Sequence, residues 1–165
     1  MTARPLRIAH VYNQLDPRNG GPPHVIVGLV AGQQARGHDV RLISEDPEGS
    51  VAVSDFFAKH LETVPPIHTV HPKLFVSAFS RRAFERALDG VDIAHFHGIW
   101  PVAPMMAGRI CRALGIPYVV APHGSLHHGA LAEKRLKKLI GMWTLGYRPY
   151  IRDAEALHFL NDHEC

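Results

Sequence analysis

LRIAHVYNQLDPRNGGPPHVIVGLVAGQQARGHDVRLIS, residues 6–44, decides the fold. Residues 6–12 form a short apolar run that ends in turn chemistry, which predicts a buried strand. Residues 13–23 are rich in Asn, Asp, Gly and Pro and predict a loop. Across residues 24–36, Val25, Ile26, Leu29 and Val30 recur at helical spacing, and Gly37 stands where a helix-ending glycine belongs. Residues 39–44 are a second apolar run. The order is strand, loop, helix, strand, and such βαβ units build parallel sheets.

The same rhythm continues outward. A short helix is predicted over 54–60 and a third strand over 67–70, between prolines. Residues 77–88 carry Phe79, Ala83, Phe84 and Leu88 on one helical face and Arg81, Arg82, Glu85 and Arg86 on the other, with Gly90 ending the helix. A strand over 92–97, a helix over 101–114 followed by Gly115, and a strand over 117–121 come next. Residues 133–147 predict an amphipathic helix with Leu136, Leu139, Ile140, Trp143 and Tyr147 on its apolar face. A sixth strand is expected over 156–160, with Asn161 and Asp162 opening a further helix. The class is therefore α/β: a Rossmann-like, doubly wound, mostly parallel sheet of about six strands, in one domain over residues 1–165.

Composition narrows the function. With 46% apolar and 20% charged residues the chain can bury a core, so extensive disorder is excluded. A net charge of +3 is too small to argue for nucleic acid and suits phosphates or an anionic membrane surface. Two cysteines, Cys111 and Cys165, make neither a disulfide framework nor a CxxC site, and Cys111 is expected as a buried small hydrophobe. Residues 1–7 run straight into a strand without a leader-like apolar region, and no run approaches a membrane span. The expectation is a reducing, cytoplasmic setting, with the inner membrane face within reach.

In doubly wound sheets ligands gather outside the carboxyl ends of the strands, where strand order reverses. The loops after the first, fourth and fifth strands are thus the functional suspects. Gly20-Gly21-Pro22-Pro23 lets backbone pass close to a ligand and opens a helix whose N-terminus suits a phosphate. It is not GxGxxG, and Ser44 stands where a dinucleotide site wants an acid, so a dinucleotide oxidoreductase is disfavoured. His95 and His97 share one face of the fourth strand. With His123 they invite a zinc reading, but no HExxH or paired cysteines support it, and hydrogen-bonded histidines are the plainer reading. His123, held between Pro122 and Gly124, can offer an imidazole to a sugar hydroxyl or a phosphate. His127 and His128 are expected to face solvent. Lys134, Lys137 and Lys138 share one helical side and could dock on anionic lipid.

The ordered set GGP (20–22), RGHDV (36–40), HFHGIW (95–100) and PHGSL (122–126) resembles the N-terminal domain of family 4 glycosyltransferases, GT-B enzymes with two facing Rossmann-like domains. The resemblance implies the acceptor-binding half of a retaining enzyme that moves a sugar from a UDP- or GDP-linked donor to a glycan or lipid-linked acceptor, with no metal or other cofactor required. It implies that His123 orients the donor sugar as the catalytic residue, and that Gly20, Gly21, Pro22, Gly124 and Glu164 face the donor. His97, Gly98 and Trp100 would line the acceptor side. The donor-binding second domain would be absent, so the chain alone should have little activity, and a C-terminal domain in trans is an expected partner. Two other classes compete: a non-catalytic Rossmann-like binding module or split-enzyme subunit, and a metal hydrolase built on the histidines.

Overall fold

The strand nearest the N-terminus, β1 (Arg7–Val11), lies inside the sheet rather than at its edge. The computed structural model describes residues 4–47, 49–71, 78–125, 143 and 145–160. After β1 come a single 3-10 turn, Pro17–Asn19, then α1 (Pro22–Gln34), β2 (Asp39–Ser44), α2 (Val51–His60) and β3 (Ile67–Thr69). The chain continues through α3 (Ala78–Ala87), β4 (Ile93–His97), α4 (Val102–Leu114), β5 (Tyr118–Ala121), α5 (Tyr147–Arg152) and β6 (Ala156–Leu157). The strand order is β3-β2-β1-β4-β5-β6 and every pairing is parallel. Strand order reverses between β1 and β4, so the crevice of the fold opens at their carboxyl ends.

Alternation along the strands sorts side chains to two faces. Ala9 and Val11 of β1, Ala94 and Phe96 of β4, and Tyr118 and Val120 of β5 join one buried cluster with Phe84, Leu88 and the inner face of α4. On the opposite face Val40 and Leu42 pack with Ile26 and Val30 of α1 and Phe57 of α2. Fully buried aromatics such as Phe57, Phe84 and Phe96 each contribute about 1.5–3 kcal/mol by leaving water. Cys111 is buried, and burial pushes its thiol up to about 12. Among the described residues no helix is long and apolar enough to cross a membrane.

Two expectations change. A helix running to Tyr147 is replaced at its end: Gly146 adopts a left-handed φ of 90° and caps α5, which Tyr147 begins. A left-handed glycine interrupts helical backbone and redirects the chain. The sixth strand is two residues rather than five, because β6 has β5 on one side only and both its residues are exposed. Backbone bonds from Glu155 N to Tyr118 O (2.9 Å) and from His158 N to Val120 O (2.8 Å) flank it. Residues 133–142, the start of a helix at 161–162, His127, His128 and Cys165 lie outside the described residues.

One contact in the core is unusually close. Gly108 of α4 faces Tyr150 of α5, and a Cβ at 108 would stand 2.6 Å from Tyr150 Cδ2. The two helices touch here because residue 108 has no side chain.

Candidate functional site

β4 turns Ala94 and Phe96 into the core and His95 and His97 to the other face. β1 pairs with β4 in a register that sets His10 opposite His95. Three imidazoles thus meet on one face at the switch point, and loop residues bring two more. His10 Nδ1 lies 2.9 Å from His97 Nε2, and His97 Nδ1 lies 2.8 Å from His123 Nε2. At the inner end His10 Nε2 lies 2.8 Å from Oε1 of Gln33, near the end of α1. His158, just beyond β6, places Nδ1 3.3 Å from His95 Nε2. The rings of His95 and His97 are 4.5 Å apart by centroid.

The cluster is shielded from bulk solvent at its centre: His97 is 0% and His10 1% exposed. Burial pushes His10 down to about 4, a pull only partly opposed by its bond to Gln33. Burial, and then the neighbouring His10, His158 and His123, lower His95 to about 3. Burial and the same crowding hold His97 well below the ordinary histidine value. These three rings are uncharged at neutral pH because a cation among other imidazoles, away from water, is unfavourable.

His123 sits at the carboxyl end of β5 with φ 50°, a left-handed conformation few non-glycine residues adopt, and Gly124 follows at φ 76°. The bond to His97 helps fix this arrangement, which costs about 1 kcal/mol or more by itself. Tyr12, one residue past β1, places its ring 6.5 Å from that of His123. The loop after β4 is braced from behind. Tyr150 donates its hydroxyl to Gly98 O (3.1 Å), and Tyr147 donates to Trp100 O (2.7 Å). Trp100 Nε1 donates to Ser125 O (3.3 Å), tying this loop to the one that carries His123.

The glycine loop is built from unlike halves. Gly20 has φ 125° and ψ −162°, which only glycine adopts without strain. Gly21 is αR and a Cβ there meets nothing within 4 Å. Pro22 and Pro23 have no amide hydrogen, and His24 N already donates to Gly21 O, so ligand-side donors at this N-terminus fall to Gly20 and Gly21. Gly20→Ala is expected to cost about 1–3 kcal/mol of folding stability, whereas Gly21→Ala stays within about 0.5 kcal/mol. Urea unfolding of the two variants checks this, and equal losses would refute the distinction.

The profile of the glycosyl transferase 4-like domain matches residues 20–164. The chain belongs to this family. No curated protein matches it. Among solved structures, MurG of Acinetobacter baumannii superposes with a TM-score of 0.56 at 17% identity, over 98% of this chain. The chain spans 43% of the length of that protein. The shared feature is the fold, and the glycosyl transferase 4-like domain has the Rossmann-like architecture of one GT-B half.

Sequence-predicted residues of this domain fall into three groups. His97, His123, Gly98, Trp100 and Gly124 converge on the loops after β4 and β5, with Gly20, Gly21 and Pro22 after β1. Within that set His97 and Gly98 are buried. Glu164, Lys134, Lys137 and Lys138 lie outside the described residues. Sequence reasoning passed over His10, Gln33 and His158, whose meeting depends on strand register. One nitrogen each of His10, His95 and His97 lies within 4.8 Å of the others, which is metal-ligand spacing. A cation there would take nitrogens that His10 and His97 already share with each other, Gln33 and His123.

Among the described residues, hollows also lie away from the histidine cluster. One of about 270 Å³ at the carboxyl ends of β2 and β3 includes Asp46, Ser50 and Thr69 in its wall. Another of about 660 Å³ lies near His38 and Asp39 at the amino end of β2, the end of the sheet opposite the histidine cluster. The carboxyl-edge location makes the first the better neighbour for the site.

Proposed function

We propose that this domain is the acceptor-side half of a retaining glycosyltransferase, in which His123 orients the sugar of a UDP- or GDP-linked donor while a glycan or lipid-linked acceptor lies against the loop from Gly98 to Pro101. The observation that carries the reading is the convergence of His123, Tyr12 and the braced Trp100 loop at the switch point of the sheet. Transfer proceeds through an oxocarbenium-like state as a phosphate leaves, so the leaving charge must be stabilised. Among the described residues of the carboxyl-edge loops, Arg18 is the one arginine or lysine, and Asp16 holds it in an ion pair. In this reading the phosphate clamp belongs to a second domain, supplied within a longer protein or in trans, and this chain alone should have little activity. No metal is required in this scheme. A cytoplasmic site of action at glycan assembly, with Lys134, Lys137 and Lys138 toward anionic lipid, belongs to the same reading.

The test is titration of the chain with UDP, GDP and their sugar conjugates, followed by calorimetry and by histidine resonances in NMR. The expected result is millimolar or absent binding of the bare nucleotides, with the His123 resonances moved only by conjugates that carry a sugar. Micromolar binding of UDP or GDP that is lost in His123→Ala would mean that this fragment holds a nucleotide site itself, and would overturn the acceptor-half assignment.

A further inference from the structure

Gln33, His10, His97 and His123 form one continuous line of hydrogen bonds from the helix–sheet interface to the carboxyl edge, with spacings of 2.8, 2.9 and 2.8 Å. A line of neutral imidazoles has a direction, since each ring carries one N–H and one lone pair. Gln33 sets that direction. Its Oε1 can only accept, so His10 Nε2 must donate to it, which leaves His10 Nδ1 as an acceptor. His97 Nε2 then donates to His10 Nδ1, and His97 Nδ1 accepts from His123 Nε2. We propose that Gln33 is a positioning residue that fixes the Nε2–H tautomer of all three rings, so that His123 carries its lone pair on Nδ1.

This has a consequence for ligand chemistry, and it rests on the reading of His123 as the sugar-orienting imidazole. An Nδ1 lone pair accepts a hydrogen bond from a hydroxyl and repels a phosphate oxygen. A ligand group that meets His123 through Nδ1 would therefore be a hydroxyl donor rather than a phosphate oxygen. Gln33 is some distance along α1 from the glycine loop, yet its amide orientation selects which of two ligand groups the far end of the line can hold. The burial of His10 and His97 strengthens the coupling, because a mismatched donor pair or acceptor pair inside the protein has no water to relieve it.

The experiment uses the ligand-free chain at neutral pH, with nitrogen-15 in its histidine rings, and reads each tautomer from ring nitrogen shifts and long-range proton–nitrogen couplings. In the wild-type chain His10, His97 and His123 should each favour Nε2–H by on the order of tenfold or more. Observation of the Nδ1–H tautomer as the major form of any of the three overturns the proposal. In Gln33→Met the accepting oxygen is gone, and the preference at His123 should fall several-fold although the substitution is remote from that ring. A folded Gln33→Met chain with an unchanged His123 tautomer would also overturn it. If that variant does not fold, the wild-type spectrum still decides. No ligand enters the measurement, so failure here is separate from failure of the acceptor-half reading, which the nucleotide titration tests.

Discussion

Acidification from pH 6.5 to about pH 4 should strip this domain of most of its stability, in a range where Asp16 and Asp92 stay ionised. The unfolded chain binds a proton at each histidine near pH 6.5, whereas folded His10 resists until about 4 and His95 until about 3. Between those limits the unfolded state holds more protons than the folded one, so stability falls as pH falls. Above pH 6.5 both states are uncharged at these rings, and the full stability is present. A buried histidine held from 6.5 down to about 4 costs about 3 kcal/mol once the lower limit is reached. That is a large part of the roughly 5–15 kcal/mol of a typical domain. The rings share one network, so their contributions do not simply add. Asp16, hydrogen-bonded by Arg18, and Asp92, hydrogen-bonded by the Arg7 amide, are held at about 2 and act only in a lower window. Urea unfolding at stepped pH from 7.5 to 4.5 should show a steep loss, and His95→Gln should make it shallower by about one proton. A flat profile over that range would remove the physical basis assigned to the cluster.

The second large effect is expected at Gly108. Alanine is the better helix former by about 1 kcal/mol, so an exposed site in α4 would gain from Gly→Ala. At 108 the steric term wins. The added methyl would stand 2.6 Å from Tyr150 Cδ2 and 3.1 Å from Cε2, with Phe96 Cε2 at 3.6 Å behind. Tyr150 is 0% exposed and its hydroxyl is engaged with Gly98 O, so the ring cannot swing into solvent. Overpacking of this kind costs about 1–3 kcal/mol, and here it also displaces the prop under the Gly98 loop. Gly108→Ala should therefore lower the melting temperature by several degrees, on the order of 5 °C or more. An unchanged or raised melting temperature would show that α4 and α5 can separate at no cost.

The architecture was legible where period and punctuation are local. Apolar runs at residues 8–11, 40–43 and 94–96 and glycines at 37, 90 and 115 announce strands and helix ends without reference to the rest of the chain. The positive φ of all three glycines fits that role. What escaped was set by partners distant in sequence. Tyr147 continues an amphipathic spacing, but the left-handed Gly146 makes it a beginning rather than an end. His10 reads as one polar residue in a buried strand until the pairing of β1 with β4 places it opposite His95. Gln33 carries no motif at all, since an amide near a helix terminus is ordinary. Its place in the line of imidazoles comes from the tertiary contact that brings the end of α1 to His10 of β1. The loops that would bear on function could be named from the parallel-sheet rule, whereas the hydrogen bonds that orient their residues could not.

The strand order also dictates when the polar line can be completed. As the chain leaves the ribosome, β1, α1 and β2 emerge first, and the cluster from Leu15 to Leu61 can close from neighbouring residues. One edge of β1 then stays open until β4 arrives, because the strand that borders it there is encoded after β2, β3 and three helices. During that interval His10 can already reach Gln33 while its partner at His97 has yet to be made. Closing a long loop to dock β4 is slow relative to local helix formation. A nascent chain halted before residue 97 therefore displays a central strand with an unsaturated edge, which is the part of this domain most in need of a chaperone.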